Sequence, residues 1–493
     1  MRRLLLALVL AGCGNGGAVV SPDMSPANPC GQDVCIRTAP KNKVDMLFVL
    51  SDGPTMGTKL AAFRASLPAL LDTLAQYPAA GAPADYHFGV VTADLGAGGT
   101  ALPSFGCQPG GDGATLRASA DMTGGVRYVE YDQLTGMQNV PDVAATLDAI
   151  SDVGTSGCTF QQPLQAGYQA LHDFVPENAG FLRSDAVLVV VYVSDADDCS
   201  APYDTDLFDA SSDGVARYGP LDRFRCTQFG VQCNGAPVPP MSVSGLTGCS
   251  SYDLSNGGKL TAVDRYINFF ATPAAQGGVK LDPSDVVLAA IAAPADPVGV
   301  TITSPCADDA SVAMCPTLNP SCIAVNDTSR FGDPAVRLQA VVGAARYHQA
   351  GSICNDSDDD VMKKLLPLGQ GGVGPACLQT PVATRVDGTP DCVVENITTR
   401  PDGSQSIADV PSCAENGGIT PCWRLVDRLA DYDTGGCTPP DVVPPMTCKL
   451  PPYCQPVIDP VDGMRQLYVP IVDWGGGAPD HATTSDFHCA SPR

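Results

Sequence analysis

The amino-acid sequence predicts an α/β fold: a doubly wound, mostly parallel sheet flanked by helices, with disulfide-rich insertions and a Cys-rich C-terminal region that is irregular or β-rich. Three observations predict it. Apolar runs of strand length recur at 44–50, 86–93, 186–193 and 286–293, short enough for strands and rich in β-branched residues. Between them, apolar residues fall three or four apart, as along one face of a helix. The strand-helix alternation argues for parallel strands joined by right-handed helical crossovers.

The first run, Val44 to Leu50, stops abruptly at Ser51-Asp52-Gly53-Pro54, where a strand cannot continue. Leu60, Phe63, Leu67, Leu70, Leu71 and Leu74 then mark an amphipathic helix over 59–77, which Pro78 ends. Tyr86 to Ala93 reads as a second strand, closed by Asp94, and 96–125 reads as loop. A short helix is expected over 141–150, a polar turn over 154–159, and a further helix over 161–175, carried by Leu164, Tyr168, Leu171 and Val175. Ala186 to Val193 is apolar throughout, as in a strand buried on both faces, and delivers the acids of Ser194-Asp195-Ala196-Asp197-Asp198-Cys199. Residues 200–258 read as an insertion. Leu260, Val263, Ile267 and Phe270 restore a helix, and Val286 to Ala293 gives another buried strand. A second insertion spans 294–334, and a helix through Leu338, Val341, Val342 and Ala345 follows. From Cys377 onward there are eight cysteines, many prolines and only short apolar pieces, such as 423–426 and 467–472. The expected organisation is therefore 1–13 leader, 14–42 flexible spacer, 43–376 α/β domain and 377–493 Cys-rich region, packed on the core or following it.

Charge and cysteine usage restrict the function. With 28 Lys and Arg against 53 Asp and Glu, the formal charge is -25 and the pI about 4.3, which repels phosphate backbones and argues against a nucleic-acid partner. Arg2 and Arg3, the apolar Leu4 to Leu10, and Leu10-Ala11-Gly12-Cys13 resemble a bacterial lipoprotein signal with its lipobox. That resemblance implies lipid on Cys13, so that the chain meets a membrane only through an anchor. No later apolar run approaches the ~20 residues of a spanning helix. Of the 21 cysteines, 20 remain once Cys13 is set aside, an even number suited to disulfides in an exported protein. No Cys-x-x-Cys occurs to suggest zinc.

Strand ends and helix starts that bear polar residues lie at the carboxyl edge of such a sheet, where ligands bind. Three of them carry a family likeness. Val44 to Met56, Gly157 to Leu164 (Gly-Cys-Thr-Phe-Gln-Gln-Pro-Leu) and Ser194 to Ser200 (Ser-Asp-Ala-Asp-Asp-Cys-Ser) resemble, in order and context, the von Willebrand factor type A (vWA) domain. The likeness is to the Cys-rich, lipobox-bearing members found in bacterial envelopes, and Ser352-Ile353-Cys354 and Cys422-Trp423-Arg424 share it.

The resemblance implies a vWA fold and a Mg²⁺ or Ca²⁺ site built from hydroxyls and acids on three loops, because hard cations prefer oxygen ligands. Carried over residue by residue, Thr55, Thr159 and Asp195 match the family's ligands. Ser51 and Gly53, however, stand where the first loop has Asp and Ser, and Gln161 stands where Glu is usual. Two readings are open: a site repaired through Asp52, whose side chain is turned by one residue, or a site that has lost its metal.

Other constellations are weaker. Gly53 to Lys59 lacks the spacing of a phosphate loop, and neither Gly-x-Ser-x-Gly nor His-Glu-x-x-His occurs. His87, His172, His348, His481 and His488 are scattered and read as structural or surface residues. The acidic run Asp356 to Asp360 reads as a solvated helix start. The function expected is that of a non-catalytic envelope lipoprotein, anchored to an outer or periplasm-facing membrane, that binds a protein or other macromolecular ligand. The alternative is a structural or assembly protein that kept the fold and lost metal and ligand.

Overall fold

A computed structural model describes residues 34–38, 43–76 and 85–369 apart from 134–135, 173–174, 185, 281–282, 305–313 and 346. In the C-terminal part it describes 381–399 apart from 387, 405–427, 457–459, 463–473 apart from 467, and 483–490. The leader and Cys13 lie outside these residues.

A six-stranded sheet forms the centre. Its strands are β1 (Lys43–Leu50), β2 (Asp85–Thr92), β3 (Val129–Asp132), β4 (Val187–Val193), β5 (Val286–Ala292) and β6 (Tyr347–Ser352). The spatial order is β6-β5-β4-β1-β2-β3, parallel except for the antiparallel edge strand β3. This is a doubly wound sheet, with its topological switch point between β1 and β4.

Alternation along β1 shows why both faces are covered. Val44, Met46, Phe48 and Leu50 point to one side, against α1 (Gly57–Gln76), α2 (Val143–Ser151) and α6 (Asp359–Gly369). Leu47 and Val49 point to the other, against α3 (Pro163–Leu171), α4 (Val263–Ala271) and α5 (Val336–Ala344). Two apolar layers therefore enclose a strand that is buried along nearly its whole length.

At the opposite, amino edge, Asp45 is fully buried and accepts from Arg183 through both the backbone N–H (2.6 Å) and Nε (2.7 Å), with Lys280 Nζ at 3.7 Å. Arg183 also bonds Asp85 at 2.7 Å. His87 donates or accepts at Nδ1 with the Phe181 carbonyl, 2.9 Å away, and burial lowers its pKa.

Several sequence expectations needed correction. The helix expected over 161–175 spans Pro163–Leu171: the backbone is already extended at His172, and Val175, held extended before Pro176, leads into a short 3-10 turn. Strands β3 and β6 carry no apolar run: each is an edge strand with one partner. The spacer expected over 14–42 contributes a strand, Val34–Thr38. Acids do open α6 as expected, with Asp359 and Asp360 in its first turn, but the neighbouring Asp358 is buried and not solvated.

Both insertions hold structure without apolar periodicity. The first contains the short helices Ser212–Tyr218 and Phe224–Gln228 and is cross-linked by Cys199–Cys226 and Cys233–Cys249. The buried Arg225 donates to the carbonyls of Leu207, Asp209, Gly219 and Pro220. In the second, Val298–Thr303 pairs with Cys315–Asn319 and with Val243–Leu246 of the first. Disulfides and a buried cation here support two small apolar clusters, one of Leu207, Phe208 and Leu221 with Phe105 and Phe160, the other of Phe224, Val231 and Val238 with Val298 and Val300.

The C-terminal region is β-rich. Thr483–Cys489 lies between Val34–Thr38 and Cys392–Thr399, and Gln405–Val410 completes an antiparallel sheet. Cys392–Cys489 joins two of its strands, and Trp423 meets Phe487 edge-on at 6.2 Å. Among the described residues six disulfides are present, and no helix is long and apolar enough to cross a membrane.

Candidate functional site

Three loops meet at the carboxyl edge beside the switch point. The first follows β1 (Ser51–Met56), the second precedes α3 (154–162), and the third follows β4 (Ser194–Ser200). Backbone bonds carry the ladder beyond the strands: Ser51 N donates to Val193 O at 2.9 Å and Ser194 N to Ile291 O at 3.1 Å. Between loops, Gly157 N donates to Asp52 O (3.0 Å), Gln162 N to Ala93 O (2.8 Å) and Cys199 N to Gln161 O (2.9 Å). Cys107–Cys158 and Cys199–Cys226 tie the second and third loops down. In the buried space between the first and third, Ser51 Oγ donates to Ser194 Oγ at 2.8 Å.

The four expected metal ligands fall into separate bonding groups. Asp52 is engaged with Gln161: its Oδ1 accepts from Gln161 Nε2 at 3.0 Å, while its backbone N–H donates to Gln161 Oε1 at 3.2 Å. An amide suits this place, since it can donate and accept at once, where a second carboxylate would repel Asp52. Burial, reinforced by the charge of Asp94, pushes the Asp52 carboxyl up to about 7 against the lowering pull of the Gln161 bond. The fit is tight. A Cβ on Gly157 would lie 2.2 Å from Asp52 Oδ1, so only glycine is accommodated without a shift. Asp94 accepts from Gly96 N (2.8 Å) and Cys158 N (3.0 Å), and burial raises its pKa too.

Asp195 belongs to the other group. Its Oδ2 accepts from the ammonium of Lys59, whose side chain is fully buried. Lys59 stands in the first turn of α1 and reaches back along the helix, as helical side chains do, to donate also to the Thr55 carbonyl at 3.0 Å. The Phe331 ring lies 4.1 Å from the ammonium. A cation at a helix N-terminus opposes the helix dipole, so Asp195 compensates both its burial and its placement. Thr55 thus enters this group through its carbonyl. The half-buried Thr159 belongs elsewhere, its N–H donating to Phe105 O at 2.9 Å.

The remaining acids of the third loop serve the fold. Asp197 accepts from Arg337 N at 3.0 Å and Leu338 N at 3.1 Å, at the start of α5, and burial raises its pKa to about 6. Asp198 accepts from Leu164 N at 3.0 Å, at the start of α3, and pairs with the buried Arg337 at 3.2 Å. Acids at helix N-termini satisfy free N–H groups and the dipole together.

A hairpin of the second insertion, Cys322–Ile323 with Phe331–Gly332, covers Lys59. Cys322–Cys354 pins it, Asp333 N donates to Asp195 O at 2.8 Å, and Ser329 Oγ lies 3.4 Å from Thr58 Oγ1.

A divalent cation of the kind the resemblance implies does not fit this arrangement. It would need several free oxygens around one point; instead an ammonium holds Asp195 and the Thr55 carbonyl, and Asp52 is turned to Gln161. Among the described residues no cluster of three or more His, Cys, Asp or Glu is placed to hold a metal. Lys59 and Phe331 were the residues that sequence reasoning missed. One signal was available: a lysine in the first turn of an otherwise apolar-faced helix, on the wrong side of its dipole. Nothing in the sequence pointed to Phe331, which arrives from an insertion more than two hundred residues away.

No family model matches the chain, and no curated protein matches it. Among solved structures, a von Willebrand factor type A protein from Catenulispora acidiphila aligns at 11% identity over 93% of this chain and 61% of that one, with a TM-score of 0.28. The pilus adhesin SpaC from Lactobacillus rhamnosus GG aligns at 10% identity over 93% and 40%, with a TM-score of 0.31. The pilus adhesin RrgA from Streptococcus pneumoniae aligns at 10% over 92% and 57%, with a TM-score of 0.27. The chain spans about 40–61% of the length of these proteins, and superpositions this loose lend no weight to a functional assignment.

Proposed function

We propose that this protein is a non-catalytic, lipid-anchored protein of a bacterial envelope whose vWA-like domain binds a protein or other macromolecular ligand at the carboxyl edge of its sheet. One observation carries the reading. On the insertions at that edge, Tyr203, Ile323 and Val325 are 67%, 54% and 96% exposed, above loops locked together by hydrogen bonds and disulfides. Exposed apolar side chains on a rigid base lose little entropy on binding, which favours recognition. The switch-point position supports the same reading, and the Cys13 motif supports the anchor.

The alternative, a structural envelope protein without a ligand, draws on the third loop, where Asp195, Asp197 and Asp198 all serve internal bonds. Fluorescently labelled chain 14–493, titrated onto purified bacterial envelope fractions, separates the two. Saturable binding weakened about tenfold or more by Tyr203→Ala with Val325→Asp is expected. No binding, or binding indifferent to both substitutions, favours the structural reading.

A further inference from the structure

A lysine ammonium is a compact, strongly hydrated charge, and full burial is tolerated only with compensation close at hand. Lys59 has it: the Asp195 carboxylate, the Thr55 carbonyl at 3.0 Å and the face of Phe331 at 4.1 Å. We propose that Lys59 is the resident cation of the carboxyl edge: its ammonium holds Asp195 where the family resemblance places a divalent metal, so the loops are joined without one.

Charge supports this first. With Ser51 and Gly53 in the first loop, the edge lacks the acid that would help balance a doubly charged ion. Asp52 is committed to Gln161 and Asp94 to the N–H groups of Gly96 and Cys158, so the carboxylate the ammonium matches is Asp195. The contact between the first and third loops at Ser51 and Ser194 is neutral, hydroxyl to hydroxyl.

Closure supports it independently. A metal that recruits a ligand keeps positions open for water or for that ligand. Here the aromatic ring of Phe331 covers the cation, on a hairpin fastened by Cys322–Cys354 and by the Asp333 N–H to the Asp195 carbonyl. A ring face attracts an ammonium through its quadrupole but offers no oxygen for a hard divalent ion. Macromolecular binding at this edge would then proceed without a metal bridge. The inference does not depend on such binding, because its test reads the free protein.

The test is calorimetry and thermal melting of chelator-treated chain 14–493 with Mg²⁺, Mn²⁺ and Ca²⁺. No saturable heat and an unchanged melting temperature are expected for the wild type. Saturable heat abolished by Asp195→Ala would overturn the proposal. In parallel, Lys59→Met should melt well below the wild type, since it strands a buried carboxylate. Lys59→Met with Asp195→Leu should recover part of the loss, because it removes both charges. If Lys59→Met melts like the wild type, the ammonium is not holding the edge and the proposal fails. Should that variant not fold, the wild-type titration still decides.

Discussion

Replacing Asp52 by Asn should make the sheet more stable at alkaline pH and nearly unchanged in acid. Burial and Asp94 raise the Asp52 carboxyl from its ordinary 3.8 to about 7 in the folded protein. Between these values the folded state holds a proton that the unfolded chain has released, so stability falls as pH rises through the window. Above about 7 both states are ionised, and the folded one carries the full penalty of a buried charge. At about 1.36 kcal/mol per pH decade, the raised pKa makes that penalty about 4 kcal/mol. Asn mimics the protonated carboxyl, keeps an oxygen for Gln161 Nε2, and escapes the titration. The difference in stability, Asp52→Asn minus wild type, should therefore climb by up to about 4 kcal/mol from acid to alkaline pH, while the other acids cancel in the comparison. Both tryptophans, Trp423 and Trp474, lie in the C-terminal region, so their fluorescence would report on the wrong part. Native-state hydrogen exchange of the β1 amides, measured across the window, reads the sheet itself. Identical pH profiles for the two proteins would refute the assignment of a buried, proton-holding Asp52.

Gly157→Ala should lower stability by about 1–3 kcal/mol, since the new Cβ meets the Asp52 carboxylate; a smaller loss in an Asp52→Ala background, read by thermal melting, checks the cause. Asp45→Leu, which strands Arg183 and Lys280 at the amino edge, should destabilise by about 3–5 kcal/mol in denaturant unfolding. Removing the Cys322–Cys354 disulfide, which closes a separation of 32 residues, should cost about 3–4 kcal/mol on loop entropy and should speed proteolysis within 324–333, followed by mass spectrometry. Cys13→Ser should move the protein from the membrane pellet to the soluble fraction; continued pelleting counts against a lipid anchor.

Much of the fold was legible because a strand buried on both faces must be apolar throughout. Val44–Leu50, 186–193 and 286–293 declared themselves, and Leu60, Phe63, Leu67 and Leu70 placed α1 against them. Edge strands escaped notice for the same reason: Tyr347–Ser352 has one neighbour and half-buried side chains, so its polar sequence carries no strand signal. The insertions were legible as insertions but not as structures. Their order comes from disulfides, from Arg225 and from small apolar clusters that join residues far apart in the chain, and pairings between distant residues leave no local pattern.

At the carboxyl edge, sequence alone determined where to look. The strand-to-loop junctions at Ser51 and Ser194 follow from apolar runs that end in turn-forming and acidic residues, and the displacement of the first-loop acid to Asp52 could be read from Ser51 and Gly53 at the positions of the family's Asp and Ser. Only the tertiary structure decided what stands beside Asp195. A carboxylate's charge is visible in a sequence, but its partner depends on which side chains the fold carries within hydrogen-bond reach. Here the fold brings Lys59 from a helix and Phe331 from an insertion to the end of one strand, where burial makes their pairing obligatory.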